Sequence, residues 1–210
     1  MEDVLEVYQR PRDEHHPLVC LDEFCKQLVG EVRDPLPARP GTAARYDSEY
    51  VRHGSTSAFV IYAPLEGRRE VYLGPDGRRT TQDYARALEF IATKMFPKAT
   101  KIVLVEDNLN THCEASLYAT FPPEKARLLT QRFERHHTPK HGSWLNIAES
   151  EISALVRTGL PDRLESVTEF RRHIRAVVRR RNHMKSATDW QFTNEKARVK
   201  LKSLYPPVLG

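Results

Sequence analysis

The chain has few cysteines and no long apolar run. Its 210 residues include three cysteines, at positions 20, 25 and 113, and no CxxC pair. This sparse set indicates neither a disulfide framework nor a zinc ribbon. No window approaches the ~18 apolar residues of a membrane-spanning helix, so we expect no membrane partner. The opening residues, MEDVLEVYQRPRDEHHP, lack the basic start and apolar core of a secretory signal, which predicts a cytoplasmic location.

Internal repeats and low-complexity tracts are also absent. Hydrophobic residues make up 40% of the chain and charged residues 29%, which is ordinary for a globular protein. The length suits one main core with a small appendage. These properties exclude fibrous, disordered and membrane-spanning classes.

Positive charge is concentrated between residues 163 and 202, which contain twelve Lys and Arg residues and only four Asp and Glu residues. Arg171, Arg175 and Arg179 lie four residues apart and form a ridge on one side of a predicted helix. Such a ridge suits the phosphate backbone of a nucleic acid. A solvated helical face is the alternative interpretation, and composition does not decide between them.

The apolar patterns predict a mixed α/β sheet with helices on its faces. The central strand is Ile102 to Val105, which has no polar alternation and is therefore expected to be covered on both sides. Thr80 or Thr81 is expected to cap a helix whose first turn contains Asp83. The predicted strands are 17–21, 46–51, 57–63, 69–73, 102–105 and 132–137, and the main predicted helices begin near residues 81, 144 and 167.

Acidic residues follow two of these strands, at Asp22 and at Asp107. In open α/β sheets, ligands bind outside the carboxyl ends of the strands, so both carboxylates are well placed to hold a metal ion or a polar substrate. A single Asp at a strand end is more often a loop cap. The interpretation therefore depends on whether further acids join them.

The predicted helix from Trp144 offers a third acid, either Glu149 or Glu151. Glu149 borders the apolar stripe and shares a face with Asn146, whereas Glu151 points roughly 200° away by helical geometry. We therefore choose Glu149. Three carboxylates gathered within ~4 Å repel by about 4 kcal/mol per pair at an effective dielectric constant of 20. Mg²⁺ or Mn²⁺, which prefer oxygen ligands, would offset this repulsion.

Four stretches of the chain resemble a known family. LVCLDE, LVEDNLNTH and TPKHGSWLNIAESE are similar to the three catalytic signatures of the Asp-Asp-Glu (DDE) transposases, and DWQFTNEKARVKLKSLYP matches the same branch. That branch is the bacterial insertion-sequence group of the mariner superfamily. The resemblance extends from about Val4 to Pro206.

The resemblance implies a ribonuclease H-like α/β fold, with a mixed five-stranded sheet and helices on both faces. It implies that Asp22, Asp107 and Glu149 hold two Mg²⁺ or Mn²⁺ ions. The expected reaction in the bacterial cytoplasm is cleavage of double-stranded DNA at transposon ends by metal-activated water. The freed 3′-hydroxyl then attacks target DNA, typically at a TA dinucleotide. Homodimerisation is left open.

The family pattern also assigns supporting residues. Asn108 and His112 match its DN...H motif, and with Asn146 they are expected to support the metal ligands or to contact phosphate. For His112 a helix-entry or loop contact is an equally good interpretation. Arg171, Arg175 and Arg179 are expected to contact the DNA backbone.

The expected organisation is a leading segment (1–16), a catalytic core (17–160) and a basic helical extension packed on the core (161–210). The helix-turn-helix region that family members carry ahead of the first acid is missing, so we expect a truncated member. The alternative function is a non-catalytic DNA-binding remnant of a transposase. A ribonuclease for RNA–DNA hybrids would share the fold but lacks support from the GSWLN block.

Overall fold

The computed structural model describes residues 1–109 and 112–205. Its centre is one five-stranded sheet with the strand order β3-β2-β1-β4-β5. β1 pairs antiparallel with β2 and parallel with β4, so the sheet is mixed. This arrangement confirms the predicted ribonuclease H-like fold class. The strands are β1 (Leu18–Glu31), β2 (Tyr50–Ala63), β3 (Arg68–Tyr72), β4 (Ile102–Glu106) and β5 (Phe133–His137).

Helices cover both faces of the sheet. One face carries α2, α3 and α4, and the other carries α1, α5, α6 and α7. No helix in the described part of the chain is long and apolar enough to cross a membrane. The helices are α1 (Glu2–Tyr8), α2 (Thr81–Phe90), α3 (Ala115–Thr120), α4 (Pro123–Gln131), α5 (Ile147–Gly159), α6 (Val167–His183) and α7 (Asn194–Lys200).

The central strand β4 is buried at all five positions. Ile102 and Leu104 pack into the core on the α2 face, whereas Val103 and Val105 pack into the core on the α5 face. This two-sided burial explains why the sequence shows an unbroken apolar run rather than an alternating one. The prediction of a doubly covered strand is confirmed.

The pair β1 and β2 is longer than predicted. β1 continues to Glu31, and the two strands expected at 46–51 and 57–63 form a single strand of 14 residues. Most of the added pairing lies outside the core, since the first six residues of β2 are exposed. Backbone hydrogen bonds continue where no apolar face is buried, so the apolar pattern did not mark this extension.

Helix α2 begins as predicted. Thr80 accepts a hydrogen bond from the backbone N–H of Asp83, and the Asp83 side chain accepts one from the backbone N–H of Thr80, which completes a capping box. Tyr84 and Leu88 are buried against the sheet. The helix ends in a π-helical turn, Ile91–Met95, that buries both of its terminal residues.

A buried ion cluster joins three elements on the α5 face. Glu151 of α5 lies 2.8 Å from Nε of Arg69 in β3 and accepts two hydrogen bonds from Arg181 of α6, at 2.7 and 2.8 Å. The side chains of Glu151 and Arg69 are 3% and 0% exposed. Because these charges are removed from water, each depends on its partners for solvation.

Removing the charge of Glu151 is expected to destabilise the fold. Glu151→Gln leaves Arg69 and Arg181 with uncompensated charge, which should lower the free energy of unfolding by about 3 kcal/mol. Urea denaturation followed by circular dichroism measures this value. Glu124→Gln, which changes an exposed acid on α4, is the control and should change it by less than about 0.5 kcal/mol. Equal effects of the two substitutions would contradict the structural role of Glu151.

Candidate metal centre

Asp22 and Glu23 are neighbours on β1 and therefore point to opposite faces of the sheet. Asp22 continues the face of Cys20, which packs with α5, and Glu23 continues the face of Leu21, which packs with α2. One carboxylate oxygen of Asp22 accepts a hydrogen bond from the backbone N–H of Glu23 at 2.7 Å. The strand thus presents one acid to each side.

Asp107 follows the last residue of β4. Parallel pairing of Cys20 with Val105 brings the ends of β1 and β4 together, so Asp107 lies beside Asp22. The Nδ1 atom of His112 donates to the backbone carbonyl of Asp107 at 3.1 Å and lies 2.6 Å from its Oδ1. His112 therefore fixes both the backbone and the side chain of Asp107.

His112 is itself held on every side. Its Nε2 lies 3.2 Å from Oε1 of Glu23, and its ring stacks on Tyr84 with 4.5 Å between the centroids. Burial lowers the pKa of His112, but hydrogen bonds to Asp107 and Glu23 outweigh it and raise the pKa to about 10. The ring is therefore positively charged at neutral pH and neutralises part of the acidic cluster.

A layer of polar contacts lies under the His112 ring. The hydroxyl of Tyr84 donates to Oε2 of Glu106 at 2.8 Å, and Arg135 binds Oε1 of the same carboxylate at 2.7 Å. Glu106 is fully buried. Because the charge of Glu106 is paired, the layer can support the ring without adding a free carboxylate to the centre.

Glu149 enters from α5, which begins at the buried residue Asn146. The Asn146 side chain caps the helix by accepting from the N–H of Ala148 at 3.1 Å, and its amide donates to the carbonyl of Leu21 at 2.8 Å. The start of α5 is thus tied to the residue before Asp22. Both ends of the Asn146 side chain are engaged, so Asn146 positions the start of α5, and a contact with phosphate stays a prediction.

The pKa of Asp22 shows that the other predicted acids, Asp107 and Glu149, are close enough to affect it. The pKa of Asp22 is raised to about 7, mainly by burial and further by the carboxylates of Asp107, Glu149 and Glu23. A protein gains nothing in stability from such crowding unless a cation offsets it. Asp22, Asp107 and Glu149 are thus near enough to interact electrostatically, but among the described residues their ligand atoms do not all lie within 4.8 Å of one another.

The donor atoms fit a divalent cation. Oδ1 of Asp107 is buried and has no aligned hydrogen-bond donor among residues 1–109 and 112–205. It lies 2.6 Å from Nδ1 of His112, with which it forms an ion pair, and carboxylate oxygens of this kind are the ligands that Mg²⁺ and Mn²⁺ prefer. The residues present therefore suit such an ion.

Glu23 is the site residue that the sequence analysis did not select. One donor atom from each of Glu23, Asp107 and His112 lies within 4.8 Å of the other two, and the charged His112 ring pairs with both carboxylates. The adjacent acids at 22 and 23 were the available signal, because alternation along a strand places one acid on each face. Asn108, by contrast, is exposed and hydrogen-bonds to no other described residue, and its role stays a prediction.

The arginines of the basic segment differ in whether they have a carboxylate partner. Arg181 is held by Glu151, Arg163 by Glu31, and Arg198 by Glu2. Arg171, Arg175 and Arg179 have no carboxylate partner within 4.0 Å in the described chain and line a groove of about 780 Å³ beside β3. These three arginines are therefore free of ion pairs within the described chain and can bind an external anion.

Comparison with known proteins identifies the family. The model of the DDE superfamily endonucleases matches residues 17–171, so the chain belongs to this superfamily. Three solved structures are similar to this chain over 88% of its length. They are the Mos1 mariner paired-end complex with Mn (17% identity, TM-score 0.48), the Mos1 strand transfer complex (16%, 0.47) and the Mos1 transposase paired-end complex with the left transposon end (19%, 0.47).

The chain spans 56 or 57% of the length of those three proteins. No curated protein matches the chain. The predicted membership of the DDE endonucleases is confirmed, whereas the bacterial insertion-sequence branch stays a prediction.

Divalent ions are expected to stabilise the folded protein. At a concentration 100 times the dissociation constant, Mn²⁺ should add about 2.7 kcal/mol, which raises the melting temperature by about 5–10 °C. Asp107→Asn removes a proposed ligand charge and should abolish most of this shift. Thermal melts with Mn²⁺ or EDTA measure it, with Glu124→Gln on α4 as the control. An equal shift in the Asp107→Asn protein would show that Asp107 does not bind the ion.

Proposed function

We propose that this chain is the catalytic domain of a metal-dependent DNA transposase. Its function would be to cut double-stranded DNA at transposon ends and to join the freed end to target DNA, typically at a TA dinucleotide. The observation that carries the proposal is the raised pKa of Asp22, which reflects its burial and the nearby carboxylates of Asp107 and Glu149 at the ends of β1 and β4. Membership of the DDE superfamily supports the reaction class.

Asp22, Asp107 and Glu149 would hold a pair of Mg²⁺ or Mn²⁺ ions. When bound, such ions supply the positive charge that a phosphodiester needs at its attacking and leaving oxygens. The three acids arrive from β1, from the end of β4 and from the first turn of α5, so each is held by a different element. This separation allows them to surround an ion rather than line one side of it.

His112 and Glu23 would orient Asp107. His112 contacts both the carbonyl and the carboxylate of Asp107, and Glu23 holds the far nitrogen of the ring. The Tyr84 ring fixes the plane of the imidazole from one side. In this arrangement His112 acts through Asp107, as a positioning residue.

Arg171, Arg175 and Arg179 would bind the DNA backbone. Their guanidinium groups have no carboxylate partners in the described chain and lie on one side of α6. Contacts to phosphate position DNA without reading its sequence. Recognition of particular transposon ends is therefore not assigned to these residues, and a homodimer remains a prediction.

Nicking of supercoiled plasmid tests the proposal. The purified chain with Mn²⁺ or Mg²⁺ should nick the plasmid, EDTA should stop the reaction, and Asp22→Asn, Asp107→Asn and Glu149→Gln should reduce nicking to background. His112→Gln should lower the rate by about 10–100-fold, as expected for a residue that positions a ligand. Glu124→Gln should nick normally.

Two outcomes would contradict the proposal. A folded chain that binds DNA but never nicks it would favour the non-catalytic remnant. Nicking that persists in all three acid variants would place the activity elsewhere or in a contaminant. Circular dichroism of each variant separates loss of activity from loss of fold.

The arginine ridge generates a separate prediction. Arg175→Ala combined with Arg179→Ala should remove two phosphate contacts and reduce the slope of log affinity against log salt by about 2. Fluorescence anisotropy with a labelled duplex at several salt concentrations measures the slope. Lys98→Ala combined with Arg127→Ala removes the same charge from the opposite side of the sheet and is the control. An equal change in both proteins would show that the slope depends on overall charge and not on contacts made by the ridge.

A further inference from the structure

The sheet ends at β3, and part of this edge is open. Asn182 of α6 bonds to both the N–H and the carbonyl of Arg69, at 2.9 and 2.8 Å, and so closes the edge at that residue. Residues two apart on a strand direct their backbone groups to the same side. The N–H and carbonyl of Val71 therefore point outward, and neither has a hydrogen-bond partner in the described chain.

The open edge is the floor of the groove of about 780 Å³. One wall is α6, which presents Arg171, Arg172, Arg175 and Arg179. The other wall carries Tyr72 and Phe90, whose ring centroids lie 6.1 Å apart. Positive charge and aromatic surface thus lie on opposite sides of one channel.

We propose that this groove binds a single strand of DNA, an inference that rests on the function proposed above. A single strand carries phosphates along one side and bases along the other. The arginines of α6 would hold the phosphates, and Tyr72 and Phe90 would stack with bases, as in other single-strand sites. A duplex keeps its bases stacked inside, so it would leave the aromatic wall and the Val71 edge without a partner.

The position of the groove suits a strand released near the metal centre. Asp22 pairs with Val60, and Val60 pairs with Val71, so the groove begins two strand spacings from Asp22. Two spacings are about 10 Å. About three nucleotides at the 3.4 Å rise of one strand cover that distance. This distance is measured across the sheet, where Val60 is buried, so a strand would reach the groove around the surface and not along this line.

An acidic extended peptide is the competing occupant, because it could add to the edge of β3 and direct carboxylates towards the arginines. The proposed reaction favours DNA. The two occupants differ in what they require of the aromatic wall. A peptide strand gains its affinity from main-chain hydrogen bonds, whereas a DNA strand gains it from stacking on the rings.

Binding of labelled oligonucleotides tests the proposal. Fluorescence anisotropy in EDTA compares a 12-nucleotide single strand with a duplex of the same length, using the full chain. Tyr72→Leu and Phe90→Leu keep apolar volume but remove stacking, and each should weaken single-strand binding about tenfold or more while leaving duplex binding unchanged. Tyr118→Leu, which changes an exposed ring on α3, is the matched control and should change neither.

A second measurement needs no substitution. A single strand containing 5-iododeoxyuridine, irradiated with the wild-type chain, should crosslink to Tyr72 or Phe90, and mass spectrometry identifies the residue. Crosslinks confined to other surfaces, or unchanged single-strand binding by folded ring variants, would overturn the proposal. Displacement of the single strand by an alternating Glu-Val peptide that binds the ring variants equally well would assign the groove to peptides instead.

The nicking assay separates this proposal from the function on which it rests. Normal nicking with no single-strand binding at the groove would reject the groove alone. Single-strand binding that depends on both rings, in a chain that never nicks, would reject the catalytic function and leave the groove as a DNA site.

Discussion

The main constraint on this structure is that several carboxylates lie close together where β1 and β4 end side by side. Parallel pairing brings Asp107 next to Asp22, and Asn146 ties the start of α5 to the same place, which adds Glu149. Burial and these neighbours raise the pKa of Asp22 to about 7. A fold that accepts this repulsion must offset it with positive charge, and the two faces of the sheet do so differently.

On the α2 face the positive charge belongs to the protein. His112 is charged and lies between Glu23 and Asp107, while Arg135 neutralises Glu106 below it. On the α5 face no described Lys, Arg or His lies within ion-pair distance of Asp22 or Glu149. Because neighbouring side chains on β1 point to opposite faces, Glu23 is neutralised by His112, whereas Asp22 would need a cation from solution. Asp107 touches both regions, which explains why its geometry is controlled so closely.

Much of this arrangement could be predicted, because it depends on local patterns. The two-sided apolar run of β4, the Thr80 cap and the acids after two strands are each visible within a few residues. The long extension of β1 and β2 was missed because its backbone pairs outside the core, where side chains carry no apolar pattern. Glu23 was missed because its partner His112 is distant in sequence and is brought near only by the fold.

Charge in the sequence shows the same limit. The segment from 163 to 202 gives no sign of which arginines are internal, since Arg179 and Arg181 are two residues apart and chemically identical. Their positions around α6 decide: Arg181 faces Glu151 across the interface with α5, and Arg179 faces the open edge of β3. Likewise Glu151 pairs with Arg69 and Arg181 inside the fold, whereas Glu149, turned about 200° from it on α5, is the residue that we propose as a metal ligand. A basic or acidic stretch therefore combines stabilising and binding residues, and only the direction of each side chain separates them.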